Sequence, residues 1–156
     1  MRPGDEHAVF QVAQAAWRHT YKDIYPPDYI ERHVNESYSP EALQALFPGI
    51  QDGSRFFWVA FDGKRIVGFC HIADRGQGIE LVRLYALPEY IDKGTGKEFL
   101  RRGEEFIHSK SSRKYFCYVH SKNNIGMEFY KRNGFCHTPE RDKDPNGQWC
   151  MEKQLT

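Results

Sequence analysis

The chain has 156 residues, of which 40% are hydrophobic, 15% aromatic and 28% charged, with a formal net charge of +1. That length suits one domain over residues 1–156, and so many rings exclude an unfolded chain. The near-neutral charge argues against a general nucleic-acid binder. No apolar run approaches the roughly 18 residues of a membrane span, and the start lacks a charged-then-apolar leader. The expectation is a cytoplasmic protein that engages neither nucleic acid nor membrane.

The first helix is predicted from about Glu6 to Tyr21, capped by Asp5, with Val9, Phe10, Ala13, Ala16 and Trp17 at helical spacing. Pro26 and Pro27 suit the opening of a second helix through Tyr29, Ile30 and Val34. Ser39-Pro40-Glu41 starts a third: a capping hydroxyl, proline at the first helical position and an acid in the first turn. It is expected to end by Pro48-Gly49.

Strand patterns dominate next. Arg55–Phe61 and Arg65–Ile72 flank Asp62-Gly63, a dipeptide suited to a hairpin whose central residues need positive φ. Glu80–Leu87 reads as a strand closed by Pro88. Gly96–Lys110 reads as a helix with Phe99, Leu100, Gly103, Phe106 and Ile107 on one face. Lys114–Val119 is a strand, Asn123–Asn133 a helix stopped by Gly134, and Phe135–His137 and Gln148–Leu155 are closing strands. Strand–helix–strand over 80–119 implies a parallel pair with a right-handed crossover. The hairpin adds antiparallel pairing, so the fold class is a mixed α/β sheet. Cys70, Cys117, Cys136 and Cys150 show neither a C-x-x-C nor a zinc-site spacing, so neither a metal nor a disulfide framework is expected.

Two segments carry chemistry. In the first, Leu84 to Lys97, a strand leads through a short loop into Gly94-Thr95-Gly96 at a helix start. Free amides on a backbone without side chains form an anion cradle, and Lys93 and Lys97 add positive charge. A phosphate or pyrophosphate is the natural ligand. A Walker loop would need glycine near Tyr90 or Ile91 and a hydroxyl at Glu98; a dinucleotide fingerprint would need glycine at Phe99. Neither is present, and a simple tight turn remains open at this point. In the second segment, Asn123 to Phe135, Gly126 and Tyr130 share a helix face. A helical glycine costs about 1 kcal/mol against alanine, which is easier to understand if something approaches the backbone there. A packing glycine with a partly buried tyrosine is the alternative.

Together these segments resemble the GNAT superfamily of N-acetyltransferases. Its pyrophosphate motif corresponds to Ile91-Asp92-Lys93-Gly94-Thr95-Gly96, and its second signature to Asn123, Gly126, Phe129, Tyr130, Gly134 and Phe135. The segments Trp17–Tyr21, Ile24-Tyr25, Leu84-Tyr85, Pro88–Tyr90 and Tyr118–His120 are similar to the PaiA-type group, which acetylates polyamines such as spermidine. Two positions depart from the pattern. Ile91 stands where the family has Arg or Gln, and the chain begins Met1-Arg2-Pro3 where the family usually opens with a strand, so either the sheet is one strand shorter or the true start lies upstream.

The resemblance implies a GNAT fold, with a mostly antiparallel sheet, a splayed central parallel pair and helices on both faces. It implies acetyl-CoA as co-substrate, no metal, and a small-molecule amine acceptor handled by a monomer or homodimer. Tyr85, Ala86 and Leu87 would meet pantetheine; Lys93, Gly94, Thr95, Gly96 and Lys97 the pyrophosphate; Asn123 and Gly126 the pantetheine arm; and Lys131 the adenosine end. Tyr130 would protonate or hydrogen-bond the leaving thiolate, and Glu80 would accept the amine's proton. Trp17, Tyr21, Tyr25 and Glu31 would receive a cationic acceptor. Acetylation of a protein N-terminus or lysine, and an acetyl-CoA-binding module without turnover, are the alternatives.

Overall fold

The computed structural model describes residues 1–144 and 146–156. Helix α1 (Glu6–Tyr21) buries Val9, Val12, Ala13, Ala16 and Trp17 along one face. Asp5 precedes it, but its side chain does not cap it; that carboxylate accepts the Arg2 amide at 2.7 Å. Helix α2 (Pro27–Tyr38) opens on proline as expected, and Ser39 Oγ accepts the Ala42 amide at 3.2 Å to cap α3 (Pro40–Gln44). The third helix does not run to Pro48-Gly49. It stops at Gln44, and a separate turn, α4 (Phe47–Gln51), takes Pro48 into its first turn, where a missing N–H leaves no bond unmade.

Strands β1 (Arg55–Asp62) and β2 (Arg65–Asp74) form the hairpin. Asp62 pairs with Arg65, so the loop is Gly63-Lys64 rather than Asp62-Gly63. Of its two central residues, Gly63 alone has positive φ, at +57°, which is the glycine-first turn. The rest of the chain forms β3 (Ile79–Ala86), a 3₁₀ turn (Pro88–Tyr90), α5 (Thr95–Ser109), β4 (Lys114–His120), α6 (Asn124–Arg132), β5 (Cys136–His137), a second 3₁₀ turn (Pro139–Arg141) and β6 (Gln148–Gln154).

The six strands among the described residues form one sheet in the order β1-β2-β3-β4-β6-β5. All neighbours are antiparallel except β3 and β4. One core, with Val9, Val34, Leu43, Phe57 and Phe69, lies between the sheet and α1–α3. A second, with Ile72, Leu81, Ile107, Tyr115 and Met151, lies between the sheet and α5 and α6. Gly103 lets α5 settle closely on the sheet, because a Cβ there would stand 2.4 Å from Ile72 Cδ1. All four cysteines are unpaired; three are buried and Cys136 is exposed.

The parallel pair positions the site. β4 pairs with β6 from Lys114 to His120, yet β3 meets β4 only at Glu80 opposite Phe116. Beyond Glu80 the two strands part. On its other edge β3 stays bonded to β2, with one irregularity: His71 pairs with Arg83 and Ile72 with Leu81, leaving Val82 as the extra residue of a bulge. A bulge bends its strand and re-aims the side chains that follow, which suits the parting of β3 from β4.

Candidate active site

A cleft of about 210 Å³ opens where β3 and β4 diverge. Its back is the β3 run from Leu81 to Ala86, and Tyr118 and Val119 of β4 face that run. Ile125, Gly126, Phe129, Tyr130 and Arg132 of α6 form one wall, while Ala16, Thr20 and Tyr21 close the α1 side. Ile91, Asp92 and Gly96 stand at the start of α5.

The start of α5 is shaped by two glycines for different reasons. Gly94 precedes the helix at φ +88°, a left-handed conformation that side chains disfavour. Gly96 packs beneath Phe129, since a Cβ would come within 2.8 Å of that ring. No side chain caps α5. Its first internal bond runs from the Glu98 amide to the Gly94 carbonyl, which leaves the amides of Thr95, Gly96 and Lys97 as first-turn donors. With the helix dipole behind them, they make an anion site at the edge of the cleft.

Asn123 is buried and caps α6, its Oδ1 accepting the Gly126 amide at 2.9 Å. This explains Gly126: a Cβ there would stand 2.8 Å from Asn123 Nδ2 and 3.1 Å from Val119 Cγ2. The Tyr21 hydroxyl lies 3.4 Å from the Tyr85 hydroxyl. Burial pushes the Tyr21 phenol up to about 12, so it stays protonated across the neutral range.

Tyr130 packs edge-on against Phe129 and Phe135, with ring centroids 5.4 and 5.2 Å away. Burial, reinforced by the nearby Cys117 thiol and Tyr21 phenol, holds its pKa well above the ordinary value for a phenol. Tyr130 is therefore a neutral hydrogen-bond donor inside the cleft.

Of the sequence-predicted residues, Tyr21, Tyr85, Ala86, Gly96, Asn123, Gly126 and Tyr130 line the cleft. Lys93, Gly94, Thr95 and Lys97 belong to the adjoining loop and helix start; Lys93 lies over the Tyr90 ring, 5.8 Å from its centroid. Five other residues stand elsewhere. Leu87 is buried in the core between α1 and the sheet, with its amide bonded to Val67 O at 2.8 Å. Lys131 is exposed outside the cleft, and its neighbour Arg132 lines it instead. Trp17 is a core residue whose indole stacks on Tyr21 and His33 and donates to the Tyr38 hydroxyl at 3.4 Å. Glu31 is held by Arg18 at 2.6 and 2.9 Å and by Gln14 at 3.3 Å, so its carboxylate is occupied. Tyr25 continues the aromatic row from Tyr21 to Tyr29, beside His120, without reaching the cleft lining.

Glu80 also stands outside the cleft lining: it sits one residue before Leu81, where β3 leaves β4, with its side chain 12% exposed and Arg75 Nε 3.8 Å away. The sequence reading missed Asp92, Arg132 and Arg83. Arg83 donates to Ser37 O at 3.0 Å and lies over the Tyr38 ring, 4.6 Å from its centroid. Its location at the C-terminal turn of α2 sets a cation against the negative end of that helix. Among the described residues no cluster fits a metal ion, and no helix is long and apolar enough to cross a membrane.

A splayed parallel pair with an anion-binding helix start at one side and a buried phenol opposite defines an acyltransferase-type cleft. Residues 14–135 match the acetyltransferase (GNAT) family, and the chain belongs to that family. It is 34% identical over 152 residues to a spermidine N(1)-acetyltransferase of Thermoplasma acidophilum, covering 96% of this chain and 91% of that one. It is 26% identical over 143 residues to the uncharacterized N-acetyltransferase YuaI of Bacillus subtilis, covering 88% and 76% of the two chains. The crystal structure of the Thermoplasma acidophilum PaiA N-acetyltransferase with coenzyme A superposes with a TM-score of 0.89 at 34% identity, over 97% of this chain and 93% of that one. Ard1 of Thermoplasma volcanium shares the fold, with a TM-score of 0.72 at 16% identity over 100% and 95% of the two chains.

Proposed function

We propose that this protein, as a single catalytic domain over residues 1–156, transfers the acetyl group of acetyl-CoA to a primary amine, specifically a polyamine such as spermidine. The observation that carries the reading is the cleft itself. An anion-binding helix start, an open strand edge and a neutral phenol border one cavity, the groups a phosphate-bearing thioester requires. The polyamine assignment rests on the spermidine acetyltransferase that is 34% identical over 96% of this chain. The four unpaired cysteines agree with a reducing compartment such as the cytoplasm.

In this reading the first-turn amides of Thr95, Gly96 and Lys97 hold the pyrophosphate. The free edge of β3 at Tyr85 and Ala86 meets the pantetheine arm, and the thioester lies near Tyr130. The amine must be neutral to attack, yet an alkylammonium keeps its proton to about pH 10.4. Glu80, at the closed end of the splay, accepts that proton through water. The amine nitrogen forms a bond to the carbonyl carbon, the carbon–sulfur bond breaks, and coenzyme A leaves as a thiolate. An ordinary thiol titrates near 8.5, below the raised value of Tyr130. Full proton transfer from phenol to thiolate is therefore uphill, and Tyr130 stabilises the developing charge by donating a hydrogen bond.

The test mixes purified protein with acetyl-CoA and either spermidine or peptides and follows free thiol. Release with spermidine but not with peptides is expected. Release with peptides alone would contradict the polyamine assignment, and tight acetyl-CoA binding without release would contradict catalysis.

A further inference from the structure

Asp92 is out of place beside an anion site. Its carboxylate precedes Gly94 by two residues, at the start of a helix whose free amides favour negative charge. It also holds a left-handed conformation, φ +60°, which is uncommon outside glycine although aspartate tolerates it. The side chain has one partner among the described residues, Arg132 Nη2, at 3.1 Å. Arg132 is the last residue of α6, on the opposite wall, so this ion pair crosses the cleft next to the start of α5.

Two basic residues line the cleft, Arg83 and Arg132. Arg83 is committed to Ser37 O and the Tyr38 ring on the α2 side. Arg132 is 61% exposed, and apart from its single bond to Asp92 its guanidinium makes no hydrogen bond among the described residues. Glu128, one turn earlier on α6, also lines the cleft but does not pair with it. A surface pair of this kind contributes little to stability, so it exchanges partners readily. A guanidinium fork is well matched to phosphate oxygens.

We infer that Arg132 is a ligand for the donor's phosphates, held across the cleft by Asp92 until the donor displaces that carboxylate. This rests on the acetyl-CoA reading given above. Arg132 then supplies the charged contact that apolar Ile91 does not, and Asp92 sets a penalty that phosphate-bearing donors overcome by claiming Arg132. The cleft thereby distinguishes a phosphorylated thioester from its unphosphorylated fragment.

The experiment compares kcat/KM for acetyl-CoA and for S-acetylpantetheine, which carries the thioester without phosphates, using spermidine as acceptor. Arg132→Gln should shrink the advantage of acetyl-CoA about tenfold, as expected for one lost charge-assisted hydrogen bond. The same variant should lower the salt dependence of KM for acetyl-CoA. Asp92→Asn should widen the advantage about two- to threefold by removing the competing carboxylate. An unchanged ratio in Arg132→Gln would overturn the assignment, as would an Asp92→Asn variant that copies the loss, since the pair would then be a structural clasp. Failure of the unaltered protein to use either donor would instead overturn the acetyl-CoA reading on which this one stands.

Discussion

The two sides of the cleft are built from different parts of the chain's chemistry. The side formed by the start of α5 and by α6 depends on backbone: uncapped amides, a glycine at φ +88°, and two glycines whose absent Cβ atoms admit Phe129 and Asn123. The α1 side, with α2 packed behind it, depends on side chains that mostly satisfy one another. Trp17 stacks with Tyr21 and His33, and Arg18 and Gln14 occupy Glu31. A backbone site tolerates no crowding but needs few particular side chains. A side-chain site can be altered one group at a time, and most of its groups serve packing.

That contrast orders the expected effects of substitution. Trp17→Ala should be the largest, destabilising the protein by about 3–5 kcal/mol in urea unfolding, because a large buried ring leaves a cavity. A raised KM for spermidine with unchanged stability would move Trp17 from the core to the acceptor site. Tyr130→Phe should come next, lowering kcat about a hundredfold while KM for acetyl-CoA stays near its original value. Equal losses in both would assign Tyr130 to packing. The pH profile sharpens the same point. With its pKa raised by burial, Tyr130 keeps its proton through the range where an ordinary phenol loses it, so kcat should rise with pH as the amine deprotonates and show no fall near pH 10.

Gly94→Ala should follow, costing about 1–2 kcal/mol for a left-handed residue and raising KM for acetyl-CoA more than it lowers kcat. Wild-type donor affinity in this variant would show that the loop geometry is incidental. Glu31→Gln should be the smallest. Its carboxylate is already paired at the surface, so stability should change by less than about 1 kcal/mol and spermidine KM should stay constant. A marked rise in that KM would restore Glu31 to the acceptor site.

The same contrast explains what could be read from the chain alone. Gly94, Gly96, Asn123 and Gly126 were legible because a backbone requirement excludes most other residues and so leaves a mark in the sequence. The acceptor side left only composition. Glu31 reads as a free acid until α1 folds beside α2 and brings Arg18 to it. Trp17 and Tyr21 lie one turn apart, yet the tyrosine reaches the cleft and the indole stays in the core. Lys131 and Arg132 are adjacent cations, and only the phase of α6 decides which one enters the cleft. The bulge at Val82 had no glycine or proline to announce it, although it accompanies the parting of β3 from β4. The hairpin signal was sound in kind but displaced by one residue, because pairing of Asp62 with Arg65 takes the aspartate into the strand.

The most direct test is a heteronuclear NMR titration of the ¹⁵N-labelled protein with coenzyme A, following each backbone amide. Grip of the diphosphate at the beginning of α5 predicts that the largest shifts fall on Thr95, Gly96 and Lys97, with smaller ones at Tyr85 and Ala86 along the open strand. Shifts confined to the outer strands β1 and β5, or a spectrum untouched by saturating ligand, would contradict it.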